Sequence, residues 1–145
     1  MSLTLSGLAG YTPVGPVTPS NISKLSSATI ATLTSADIAT IGSEQIQFLQ
    51  PTQIGYLDSV QIQGITTAQA PYLSPADIAQ LSSDQINNIS TDVIGSLTAI
   101  QVQSLTTGQL AAMTTTVIAA LTSVQLDAMN ATQLQSIATT TQMDS

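Results

Sequence analysis

The chain repeats itself every eight residues, without insertion or deletion, from Val17 to Asp144, giving sixteen consecutive octads. The first position is apolar throughout (Val17, Leu25, Leu33, Ile41 and so on to Ile137), and the sixth is a branched aliphatic in fourteen of the sixteen, Ala70 and Gln142 excepted. A fixed period of this length marks a repeat architecture, in which each unit buries its apolar face only against its neighbours. It also divides the chain: residues 17–144 form one repeat domain of sixteen units, the last degenerate, and residues 1–16 stand outside it.

Each octad reads L-[S/T]-[S/T/P]-x-[Q/D]-I-x-x, and its positions match the start of a helix. Position 2 is Ser, Thr, Asp or Asn in thirteen octads, the set favoured at an N-cap. Position 5 is Gln in nine of the sixteen octads, from Gln45 to Gln133, where its amide reaches back to the cap as in a capping box. Positions 1 and 6 are then the two partners of a hydrophobic staple. Pro19, Pro51 and Pro75 all fall at position 3, the first helical residue, where a missing N–H costs nothing.

Other folds fit this period poorly. In one continuous helix, successive octads would rotate out of line by about 80°, so no face would stay apolar. Interior prolines would each cost about 3 kcal/mol. A β-solenoid requires period-two alternation and turn glycines, whereas Gly42, Gly55, Gly64, Gly95 and Gly108 occupy differing positions. The expectation is an all-α solenoid, or superhelix, of sixteen very short capped helices with an extended N-terminal arm. Fixing eight backbones costs about 8–16 kcal/mol. Burying one Leu and one Ile returns about 3–6 kcal/mol, and a cap about 1 kcal/mol more. An isolated octad therefore cannot fold, and stability must be collective.

Several features interrupt the pattern. The octad Ile65–Tyr72 has Ala70 at position 6 and Pro71 within the expected helix, which predicts a kink or a shortened unit. Phe48, Tyr56 and Tyr72 all stand at position 8 and are expected along one ridge, either docking a partner or glycan or covering the Pro71 irregularity. Asp84 and Asp92 share position 4, which suggests half of a calcium site, but no third ligand or glycine-rich loop accompanies them. Threonine pairs such as Thr66–Thr67, Thr106–Thr107 and Thr114–Thr115 resemble an ice-binding array only superficially, since position 2 already serves as a cap. The arm, 1–16, is rich in Gly, Thr and Pro, which disfavour helix. Its Leu3, Leu5, Leu8, Tyr11 and Val14 either form part of a tail or lie on a neighbouring subunit.

Composition narrows function by exclusion. The chain has no Cys, His or Arg, and Lys24 is its one basic side chain against eight acidic ones. Nucleic-acid binding and adhesion to anionic membranes lack the clustered cations they need. No apolar run of about 18–20 residues is present to span a bilayer. The first ten residues lack the positive region of a cleavable signal peptide. A nucleophile–base pair requires His, Cys or an activated Lys, and zinc or iron sites require soft ligands. The chain is therefore expected to be no enzyme, with no cofactor and no metal.

The segments Leu73-Ser-Pro-Ala-Asp-Ile-Ala-Gln80, Leu105-Thr-Thr-Gly-Gln-Leu-Ala-Ala112 and Leu121-Thr-Ser-Val-Gln-Leu-Asp-Ala128 resemble the octapeptide tracts, of the type L-[ST]-x-x-Q-I-x-A, of large secreted or surface-associated bacterial proteins. The resemblance covers the whole repeat and transfers no catalytic or ligand residue. The likeness of Leu73-Ser-Pro-Ala-Asp-Ile-Ala to the opening of TAL-effector repeats fails, because those need a longer unit and basic surfaces. The resemblance and the composition together imply an extracellular or cell-surface location. Two expectations follow for function. One is a structural subunit of an extracellular filament or appendage, a homo-oligomer stacking head to tail through open solenoid ends. The other is an adhesin or spacer module that binds a surface or carbohydrate.

Overall fold

The computed structural model describes residues 22–143, and the side chains of residues 22–139. The expected arm, with Leu3, Leu5, Leu8, Tyr11 and Val14, lies outside the described residues, as does Pro19. The described residues are all-α, with twelve α-helices and no strand. These are α1 (Ser27–Ile30), α2 (Ser35–Thr40), α3 (Ser43–Ile46), α4 (Pro51–Gly55), α5 (Pro75–Gln80) and α6 (Ser83–Asn88). They continue with α7 (Thr91–Ser96), α8 (Ala99–Gln103), α9 (Thr107–Ala111), α10 (Thr115–Ala119), α11 (Ser123–Ala128) and α12 (Ala131–Met143). Two 3-10 turns, Gln61–Gly64 and Ala70–Tyr72, separate α4 from α5.

Every α-helix begins at octad position 3, and the local chemistry explains why. The hydroxyls of Ser26, Thr34, Ser74, Ser82, Ser90, Thr98, Thr106, Thr114 and Thr122 each accept the N–H three residues on. Full capping boxes close at Thr34/Asp37, Ser74/Asp77, Ser82/Gln85, Thr98/Gln101, Thr106/Gln109 and Thr122/Gln125. Gly42 and Gln50 replace the hydroxyl, leaving only the return bond from their backbone N–H to Gln45 Oε1 and Gln53 Oε1. Pro51 and Pro75 stand at the first helical residue, as expected.

Each helix ends as regularly as it starts. The N–H of the next octad's first residue usually donates back three residues to position 6, as in Leu81 to Ile78 at 3.2 Å and Leu97 to Ile94 at 3.2 Å, whereas Ile89 donates to Gln85 at 3.0 Å. That residue and the following cap are both extended, with ψ of 135° at Leu81 and 161° at Ser82. Two extended residues form an elbow, and the new cap starts a helix in a new direction. Elbow plus helix takes eight residues.

Burial follows the period. The position-6 side chains from Ile22 to Leu110, Ala70 included, are at most 2% exposed. Position 1 forms the second row of the core from Leu33 onward, including Ile41, Leu57, Leu73 and Leu105. Helices pack three octads apart in sequence: α4 on α5, α5 on α8, α8 on α11, α6 on α9, α7 on α10, and α9 on α12. The turn Gln61–Gly64 packs on α2 in the same spacing.

Three octads depart from the expected helix. The unit with Pro71 is shortened to a 3-10 turn, the irregularity its proline predicts. The preceding unit, expected as α-helix, is also 3-10. There Asp58 Oδ1 accepts both the Val60 and Gln61 N–H at 2.8 Å, holding a tight turn. Gly64 meanwhile lies against the α2 backbone, where an added Cβ would overlap the Ser35 carbonyl. The last octad starts no helix of its own. Ala138 occupies its cap position and offers no side-chain acceptor, so α12 runs through to Met143.

Candidate functional site

The expected capping role of the position-5 glutamines is half of what they do. One of the nine, Gln45, is half-buried; the other eight, Gln53, Gln61, Gln69, Gln85, Gln101, Gln109, Gln125 and Gln133, are buried, all at most 6% exposed. In each, Oε1 accepts the N–H of its own octad's position 2, at 2.7–3.1 Å. The amide nitrogen points the other way, into backbone three to four octads earlier. Gln85 Nε2 donates to Ile54 O at 2.9 Å and Leu57 O at 2.6 Å. Gln101 does the same to Ala70 O at 2.7 Å and Leu73 O at 2.6 Å, and Gln125 to Ile94 O and Leu97 O, both at 2.8 Å. The acceptors always lie 31 and 28 residues back, the two carbonyls that flank an elbow.

Each such glutamine therefore caps the start of its own helix and the end of another, with both amide hydrogens in use. A buried amide costs several kcal/mol unless it is bonded, and these are fully bonded. The sequence carries a signal for this that the capping-box reading passes over. A capping box accepts Glu as readily as Gln, yet position 5 has nine Gln and no Glu. Only the amide supplies donors. Gln69 bonds Ile38 O and Ile41 O at 2.8 and 2.6 Å, so the column passes through the Pro71 unit unbroken.

Val93, Val117 and Asp77 interrupt the column. Val93 and Val117 are buried and fill the position with apolar volume. Asp77 is also fully buried; its Oδ2 accepts the Ser74 N–H at 2.7 Å and its Oδ1 has no hydrogen-bond partner. Burial pushes its carboxyl above the ordinary value of 3.8, outweighing the bonds from Ser74 that act in the opposite direction.

The three aromatics are exposed, Phe48 by 40%, Tyr56 by 52% and Tyr72 by 45%. Phe48 follows α3 and Tyr72 ends the turn Ala70–Tyr72, and those two elements pack together. Tyr56 caps α4, which packs on α5 instead. Elements three octads apart pack together, so Phe48 and Tyr72 stand on or next to packed neighbours and Tyr56 belongs to a different packed pair. By the same rule Ile100 and Val124, 66% and 68% exposed on the packed helices α8 and α11, form a second apolar pair.

Asp84 and Asp92 are exposed on α6 and α7, and no three acidic, His or Cys groups converge among the described residues. The hydroxyls of Thr66, Thr106 and Thr114 are engaged as caps. A shallow open groove between α7 and α10 is lined by Thr91, Asp92, Gly95, Thr116, Ala119 and Ala120. No described helix is long and apolar enough to cross a membrane.

Among the described residues, the last three position-6 aliphatics are less covered than the rest. Position-6 residues Ile118 and Leu126 are only partly buried, and Leu134 is 42% exposed. Their counterparts in the twelve preceding octads are covered by units three and four octads further on. No protein-family model, curated protein or solved structure matches this chain.

Proposed function

We propose that this chain is a non-enzymatic structural protein, a solenoid with one capped helix per octad that associates end to end as the subunit of an extracellular filament or surface appendage. Hydrogen bonds reaching 28 and 31 residues back, and helices packed three octads apart, support between three and four octads per superhelical turn. The observation that carries the assembly reading is the C-terminal face of Ile118, Leu126 and Leu134, an apolar row lacking the cover its equivalents have. A further solenoid turn would supply that cover, and by this reading octads of a second copy provide it.

The joint is weak by this reading. Burying three partly exposed aliphatics returns about 2–6 kcal/mol, against an association cost of about 4–15 kcal/mol. The first three octads carry Asn21, Thr29 and Asp37 at position 5, so they bring no glutamine to the joint. Additional contact from the arm, 1–16, is what would make assembly stable. The test is electron microscopy of the wild type and of Leu134→Asp, at a site 42% exposed, with circular dichroism checking that the variant keeps its helix content. Fibres that disappear in the variant support the reading, and fibres that persist in it remove the end face from the account.

The adhesin or spacer reading is favoured by two other observations. The exposed pair Phe48 and Tyr72 offers a stacking surface for a sugar, and α12 departs from the octad register at the end where stacking would continue. Discrete rods of one length at all concentrations would support it over the filament. The extracellular location rests on composition and on the resemblance to octapeptide tracts of surface-associated bacterial proteins.

A further inference from the structure

Asp77 stands where its neighbours in the column have an amide. Gln69 donates to Ile38 O and Ile41 O, and Gln85 to Ile54 O and Leu57 O. Counting back by the same 31 and 28 residues from Asp77 gives Ile46 and Leu49, whose carbonyls flank the elbow after α3. A carboxylate there directs lone pairs at lone pairs, and it is one methylene shorter than glutamine. Its Oδ2 does keep the capping bond to Ser74, so the carboxyl is oriented as the glutamine amides are, with Oδ1 in the place of the donor nitrogen.

We propose that Asp77 is a proton-controlled latch: protonated, it donates from Oδ1 toward the Ile46–Leu49 elbow as its glutamine neighbours do, and ionised, it releases that elbow. Among the described residues, no charged side chain lies on the helices packed against it. The helices packed against α5 are α4 and α8, and neither carries an ionisable side chain. Within α5 Asp77 is the only one, and on α3 the nearest in register is Glu44, which is exposed. Burial favours the neutral form, so the latch closes as pH falls. It lies beside the two 3-10 units, the least regular part of the tract, so opening would begin there. The inference rests on the solenoid register proposed above.

The sign of the effect is fixed by linkage. Because the folded carboxyl titrates above 3.8, stability from this group is fully present below that pH and falls as pH rises from it to the folded value. The experiment compares urea unfolding of wild type, Asp77→Asn and Asp77→Gln across acidic and neutral pH, with the Asp77 carboxyl followed by carbon-13 NMR. The unfolding constant of wild type relative to Asp77→Asn is expected to rise by up to tenfold per pH unit over that window. The carboxyl midpoint is expected above the ordinary aspartate range. A ratio independent of pH, or an ordinary midpoint, overturns the latch. So does a selective gain of neutral-pH stability by the wild type on adding sodium or calcium, which would place a cation at Oδ1. Asp77→Gln restores the full reach of the column and is expected to be more stable than Asp77→Asn. If it is not, the register itself fails, a result distinct from failure of the proton.

Discussion

Replacing Gln85 by Glu separates the two roles of the column. The carboxylate keeps the acceptor that bonds the Ser82 N–H at 2.8 Å, and it loses both donors to Ile54 O and Leu57 O. Each lost bond costs about 0.5–1.5 kcal/mol, and a buried polar group left unpaired costs about 1–3 kcal/mol more. The expected loss near neutral pH is therefore about 2–6 kcal/mol. If Gln85 were a capping residue alone, Glu would be neutral or better, because a negative charge in the first helical turn contributes about 0.3–1 kcal/mol. The two accounts differ in sign. Burial raises the folded pKa of the introduced acid, so its penalty should shrink below pH of about 4.3, where the unfolded chain is also protonated and the acid regains one donor. Urea unfolding followed by far-UV circular dichroism at acidic and neutral pH reads both quantities. A Gln85→Glu protein within about 0.5 kcal/mol of wild type at neutral pH would refute the inter-unit role.

Two further substitutions test the packing and the caps. Gly64→Ala forces a Cβ into the Ser35 backbone and should cost about 3 kcal/mol or more, whereas Gly108→Ala, whose nearest neighbour is the Thr106 hydroxyl at 3.9 Å, should stabilise by about 0.4–1 kcal/mol. Equal effects at the two glycines in thermal melts would remove the close-approach argument. Thr106→Ala deletes the hydroxyl that receives the Gln109 N–H at 3.1 Å, and should cost about 1 kcal/mol in the same melts. No change would show that the return bond from Gln109 caps that helix unaided.

How much of this was legible in the sequence depends on whether the determinant is local. Caps, staples and Pro at the first helical residue act within one octad, and α5 from Pro75 begins where Ser74 and Asp77 direct it. Gln142 at position 6 marked the last unit as degenerate, although the missing cap at Ala138 and the merging of two octads into α12 were not anticipated. Distances between octads were not legible, because nothing in one repeat states which other repeat it meets. How Phe48, Tyr56 and Tyr72 are shared among packed elements depends on the offset of three octads, which only the packing supplies. The 3-10 turn at Gln61–Gly64 was missed as well: the Asp58 carboxylate that takes two N–H bonds is local, but the close approach of Gly64 to the Ser35 backbone is not. The glutamine column did leave a trace, in the exclusion of Glu from position 5.

The most direct test of the account is the solution environment of the glutamine side-chain amides, read by NMR in selectively labelled protein. Gln85, Gln101, Gln109 and Gln125 should each show slowly exchanging amide hydrogens with cross-peaks to residues 28 and 31 positions earlier, such as Leu57 and Ile54 for Gln85. Fast exchange with solvent, and cross-peaks confined to each glutamine's own octad, would contradict it.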